Sequence, residues 1–158
     1  ENKNGLFSEM LKTFVFDNSS VKRVPKPYQH SLIAFYNYFI EILKKEKNKL
    51  IELGIKNMNE ALFFIEMSAL LNISDFRAIA SKWHEEEKNI WYNIIQNAVS
   101  TNEIRKDIDV KSVADLFEKT YLGASFIGVF SIYGVDINVL HTNFDQLYSL
   151  LVNETNIK

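Results

Sequence analysis

Apolar residues recur along this chain three and four positions apart, the spacing that lays a stripe down one face of an α-helix. In the opening "ENKNGLFSEMLKTF" the stripe is Leu6, Phe7, Met10, Leu11 and Phe14, and Asn2 stands where its side-chain oxygen would cap the first turn. A natural protein rarely starts on a finished cap, so further chain is expected before Glu1. "DNSSVKRVPKP" then interrupts the pattern as a turn-rich linker. A second helix is predicted from about Tyr28 to Leu53, with Pro27 suited to its first turn and Gly54 to its C-terminal end. Leu32, Tyr36, Phe39 and Leu43 form its main stripe, flanked by Ile33, Phe35, Ile40 and Ile42. So wide an apolar arc must be covered by neighbours on most sides.

"NMNEALFFIEMSALL" predicts a third helix, with Ala61, Phe63, Phe64, Met67, Leu70 and Leu71 available for burial. Ser74 or Asp75 would cap a fourth that reaches about Ser100 along Phe76, Ile79, Ala80, Trp83, Ile90, Trp91, Ile94 and Ala98. After the connector "TNEIRKDID", a fifth helix is expected from about Val110 to Tyr133, broken by Gly134, and a sixth from about Ile137 to Asn153. No stretch alternates with period two and no segment repeats. The expected architecture is all-α: a six-helix, bundle-like single domain over residues 1–158.

From Thr120 to Val135 there is no charge on any face. Val113, Phe117, Thr120, Ala124 and Ile127 could serve one side of that helix, and Leu122, Phe126, Val129, Phe130 and Tyr133 another. A helix apolar all round must be covered all round. Gly123 and Gly128 each cost a helix ~1 kcal/mol against alanine, which close packing would offset. The last helix adds the stripe Ile137, Leu140, Phe144, Leu147, Tyr148 and Leu151, with Val139 and Leu150 outside it. A second copy is the economical cover. The expected interface is a symmetric four-helix arrangement in a homodimer, through Leu122, Phe126, Val129, Phe130, Leu140, Phe144, Leu147 and Leu151. A monomer with an unusually apolar core helix is the competing arrangement.

Composition narrows the function. With 18 basic and 20 acidic residues the net charge is −2, and no basic stripe runs along any segment, so the chain's own surface is not expected to grip nucleic acid. Without cysteine there is neither a disulfide frame nor a thiolate metal site, which suits a reducing, cytoplasmic setting. The longest charge-free run is too short to span a bilayer, so no membrane partner is expected. "HEEEK" at His84 follows a zincin motif for two letters only, because Lys88 occupies the place of the second histidine. No Glu-x-x-His pair, glycine-rich phosphate loop or nucleophile elbow is present. The expectation is a protein with no catalytic residues, no metal and no cofactor.

Glu87 breaks the apolar stripe of the fourth helix, four residues after Trp83 and four before Trp91. A carboxylate buried without a partner costs several kcal/mol, more than a buried leucine returns at ~1.5–3 kcal/mol. Either the stripe rotates outward there, or Glu87 snorkels to solvent, or it faces a cavity.

Two stretches carry a family likeness. "ENKNGLFSEMLKTF" resembles the segment after the recognition helix in TetR-family transcriptional regulators, with Asn2, Lys3, Leu6 and Phe7 matching the start of the helix that links their two domains. "NEIRKDIDVKSVADLFEKTYLGA" is similar to that family's turn before its penultimate helix, through Glu103, Ile104, Arg105, Asp107, Asp109 and Gly123. The family usually has glycine where Asn102 stands, and asparagine tolerates the left-handed conformation such a glycine adopts. The resemblance implies an effector-binding and dimerisation domain, with residues 1–16 as the linking helix from an absent helix-turn-helix headpiece. It also implies a homodimer that meets operator DNA only through that headpiece and responds to a small-molecule effector. Tyr36, Phe39, Phe63, Met67, Trp83, Glu87, Trp91, Phe117 and Tyr121 are the expected pocket, since aromatic walls with few polar groups suit an apolar or amphipathic ligand. A free-standing helical carrier is the alternative, and an enzyme without recognisable motifs a third.

Overall fold

The structure, a computed structural model, describes residues 19–152 together with Gly5, Glu9 and Leu11. Five α-helices follow a short 3-10 turn at Lys26–Tyr28: α1 (Leu32–Glu52), α2 (Met58–Asn72), α3 (Phe76–Ser100), α4 (Val110–Gly128) and α5 (Ile137–Ser149). No strand occurs among the described residues. The described residues form an all-helical bundle. The first helix expected from the sequence falls outside the described residues except for a few positions, of which Leu11 is buried against Ala69 and Phe76.

Local chemistry sets most helix ends. Ser31 caps α1 by accepting from the Ala34 amide at 3.3 Å, so the helix starts four residues later than its apolar pattern suggested. At the other end Gly54 has φ +85°, and the amides of Gly54 and Ile55 donate to the carbonyls of Ile51 and Leu50 at 2.9 and 2.8 Å. That pair of backward bonds is a Schellman motif, for which a left-handed glycine is the natural residue. Asn57 caps α2 through the Glu60 amide at 2.9 Å, and Asp136 caps α5 through Asn138 and Val139.

The connector after α3 ties three helices together. Glu103 reaches the first turn of α1, its carboxylate accepting from the amides of Leu32 and Ile33 at 2.9 and 3.0 Å and from the Ser31 hydroxyl at 3.0 Å. Those amides have no partner within their own helix, so a distant acid satisfies them. Asn102 adopts φ +59°, Ile104 is fully buried, and the Arg105 amide donates to the Leu151 carbonyl at 2.8 Å.

The main core lies between α1, α3, α4 and α5 and is built of aromatic rings. Trp91 stacks on Phe117 at 5.6 Å between centroids, Phe117 stacks on Phe144 at 5.4 Å, and Phe35 meets Trp91 edge-on at 5.0 Å. A second, smaller cluster joins Leu11, Ala69 and Phe76, with Ile65, Leu70, Ile73, Ile79, Ala80 and Trp83 packed around it. α2 belongs to this second cluster and buries only Asn59 and Ala69.

One boundary departs clearly from the sequence pattern. The fifth predicted helix stops at Gly128 rather than Tyr133, and residues 129–136 form a compact turn. The Asn57 side-chain amide causes this, donating to the carbonyls of Gly128 (3.0 Å), Val129 (3.2 Å) and Ser131 (2.7 Å). The Asn59 carbonyl oxygen accepts from the Val135 amide at 2.9 Å, and Lys47 donates to the Val135 carbonyl at 2.8 Å. Backbone groups that would have continued the helix are claimed by side chains of other elements. Gly134, at φ +74°, makes the tightest part of the turn.

Candidate functional site

The two hydrophobic clusters do not close on each other. Between them lies a cavity of about 900 Å3, within the size range of small-molecule sites. α2 supplies one wall with Met58, Leu62, Phe63, Glu66, Met67 and Leu70. α3 supplies Phe76, Ala80, Trp83, His84 and Glu87, α4 supplies Tyr121, Leu122, Ser125 and Phe126, and Val129 follows at the α4 C-cap. The strap before α1 (Ser19, Ser20, Val21, Arg23) and the end of α1 (Glu46, Lys49, Leu50, Leu53) complete the lining. Most of this surface is apolar, and Leu53 and Phe126 are exposed at its rim.

The strap is fixed by polar bonds at its edges. Arg23 pairs with Glu46 and Ser20 donates to Glu46 at 2.8 Å, while Lys22 pairs with Glu86 of α3 at 2.7 Å. These contacts pair the two cations of the strap with carboxylates, while Lys49 stays exposed where it lines the cavity. Val21 and Val24 anchor the strap in the main core.

Glu87 is the conspicuous group. Of the three arrangements its position allowed, the structure shows the last: the side chain is only 2% exposed and lines the cavity. Burial pushes its carboxyl up to about 7, Glu118 of α4 adds to the rise, and a Ser19 hydrogen bond and the Lys22 charge oppose it. Glu66 on the α2 wall is also raised by desolvation. Tyr121 stands within the field of both acids; burial first, then the Glu87 charge, push its phenol up to about 12. His84, at the rim, is held below the usual imidazole range by desolvation.

Five of the nine residues expected to form a pocket meet here: Phe63, Met67, Trp83, Glu87 and Tyr121. The other four do not. Tyr36, Phe39, Trp91 and Phe117 sit in the ring-on-ring core, where stacking leaves no space for a ligand. Tyr36 also donates its hydroxyl to Asp145 at 2.8 Å, which fixes it as a core-to-surface tie. Pattern alone could not separate these groups, because Trp83 and Trp91 share one stripe of α3 but face different clusters. Glu66 was missed, although a lone carboxylate in "FFIEMSALL" is the same signal that marked Glu87.

The expected dimer contacts also need correction. Leu140 and Phe144 are fully buried in the protomer's own core and Leu151 nearly so, so they have no surface to offer a partner. Leu147 packs partly against that core. Leu122, Phe126 and Val129 line the cavity. Phe130 alone of the eight belongs to a face that is simply exposed, at 77%. Leu116 and Ile127 of α4, Ile132 and Tyr133 of the turn, Val139 of α5 and Leu150 at its C-cap are exposed as well. Leu116, Thr120, Gly123 and Ile127 follow one α4 stripe, and a Cβ on Gly123 would meet nothing within 4 Å.

No family model, curated protein or solved structure matches this chain. Among the described residues no cluster of three or more His, Asp or Glu side chains is placed to hold a metal ion. No described helix is long and apolar enough to cross a membrane.

Proposed function

We propose that the chain is the ligand-sensing and dimerising domain of a TetR-like transcriptional regulator, acting as a repressor that a small apolar or amphipathic effector releases from DNA. The cavity between the two clusters carries this reading: it is of ligand size, mainly apolar, and lined by four helices and a strap. A carrier would need such a cavity too. The exposed apolar stripe of α4 and α5 favours the dimeric regulator, because large apolar faces on a small soluble domain mark an interface.

The walls also offer a route between the two features. Leu122 and Phe126 face the cavity from α4, the helix whose other side carries Gly123 and Ile127. Asn57 and Asn59, at the start of α2, hold the turn between α4 and α5. A ligand that displaces α2 therefore shifts the pair of helices through which two protomers would meet. In a dimer that shift alters the spacing of two headpieces on their half-sites, and DNA is released when the effector prefers the misaligned state.

Sequencing the gene upstream of Glu1 tests the class directly. An in-frame basic helix-turn-helix is the expected result, and a start codon or a signal peptide at that point would overturn it. The chain alone, with a net charge of −2, is predicted to leave duplex DNA unshifted in gel-mobility assays. A salt-dependent, sequence-specific shift would contradict the placement of DNA contact outside it.

A further inference from the structure

We propose that the cavity takes an amphipathic organic cation, its ammonium group against the Glu87 carboxylate beside Trp83 and Tyr121 and its apolar body along the α2 wall. The inference rests on the reading of the cavity as a ligand site and adds the charge of the ligand.

The sign of the site follows from what surrounds it. Glu87 is buried and lines the cavity, and the basic groups near it are engaged elsewhere: Arg23 with Glu46, Lys22 with Glu86. Lys49 is exposed at the mouth, and His84 is at the rim with its protonation disfavoured. The wall opposite contributes Glu66, another acid with no ion pair among the described residues. Trp83 precedes Glu87 by one helical turn, and Tyr121 feels its charge from α4. Aromatic faces beside a buried carboxylate suit a cation, most of all a quaternary ammonium, which needs no hydrogen-bond acceptor. Phe63, Met67, Leu62 and Leu70 then give an alkyl or aryl body an apolar surface.

Burial keeps the Glu87 carboxyl partly protonated near neutral pH, so binding a cation beside it should expel a proton. The groups that face Glu87 are Ser19 and Lys22 of the strap, Glu118 and Tyr121 of α4, and, through Tyr121, Glu66 of α2 and Arg23. Of these groups Glu87 lines the cavity with its carboxyl pushed up to about 7, so proton release should come from it.

Calorimetric titration with decyltrimethylammonium, decanol and decanoate below their micelle concentrations separates the charge from the tail. At pH 8 the cation should bind at least about tenfold more tightly than decanol, about 1.4 kcal/mol, and decanoate most weakly. Glu87→Gln should remove that preference and leave decanol within about threefold of wild type, which also shows that the variant is folded. At pH 6.5, buffers of different ionisation heat should report proton release on cation binding by the wild type, reduced in Glu87→Gln. Decanol binding as tightly as the cation, or decanoate binding best, overturns the inference and leaves an uncharged or anionic sensor. If none of the three binds at millimolar concentration, the reading of the cavity as a ligand site falls as well.

Discussion

Glu87 is where a single residue most clearly trades stability for chemistry. Its carboxyl titrates at about 7 in the folded chain, against 4.5 for an ordinary glutamate, because burial penalises the charged form. Between those values the folded state holds a proton that the unfolded state has released, so stability falls as pH rises through this window and is level above it. The gap sets an upper bound of roughly 3 kcal/mol on the loss. Glu87→Gln keeps the shape without the charge, and should melt higher than wild type at pH 8 while the two converge near pH 5. Thermal melts across that range check it; a difference that does not vary with pH would place Glu87 in solvent. Glu66 and Glu118 shift in the same direction, so the substitution should flatten the profile rather than abolish it.

At the scale of elements, the two glycines of α4 make opposite predictions. A Cβ at Gly128 would lie 2.5 Å from the Val135 amide nitrogen, so Gly128→Ala must push the α4–α5 turn away and should cost about 1–3 kcal/mol in urea denaturation. At Gly123 a Cβ meets open space within the protomer. Gly123→Ala should therefore raise the stability of an isolated protomer by ~1 kcal/mol, the helix-propensity difference. Asn57→Ala should lose about 1 kcal/mol from the α2 cap and about 1–3 kcal/mol more from carbonyls left unpaired in the turn. Its signature is local: hydrogen exchange should quicken at Val135 and in α5's first turn before it does in the aromatic core.

The helices themselves were legible because their stripes are long and the caps are local: Gly54, Asp109 and the Glu103 connector all stand where the pattern placed ends or turns. The early end of α4 was not, because Asn57 lies more than seventy residues away in sequence. Glu87 was legible as an anomaly, since a charge on an apolar stripe is a local fact. Which aromatics wall the cavity depends on how far apart two clusters stand, and no spacing within one helix encodes that. Trp83 and Trp91 show this best.

On the scale of the whole molecule, the cavity and the proposed interface share one helix, α4. The helices that carry the exposed apolar residues, α4 and α5, are about 20–28 Å long, taking ~1.5 Å per residue. A footprint of that order approaches what stable dimers bury on each partner. Leu116, Ile127, Phe130, Val139 and Leu150 would be its apolar anchors and Gly123 its point of closest approach. Sedimentation equilibrium on the wild-type chain and on Ile127→Glu is the most direct measurement of this claim, because Ile127 is 71% exposed and its replacement cannot disturb the protomer's core. The wild type should sediment at twice its 18.4 kDa chain mass at micromolar concentration, and Ile127→Glu as a monomer of unchanged helix content. A wild-type chain that stays monomeric there, with the variant indistinguishable from it, would contradict the account.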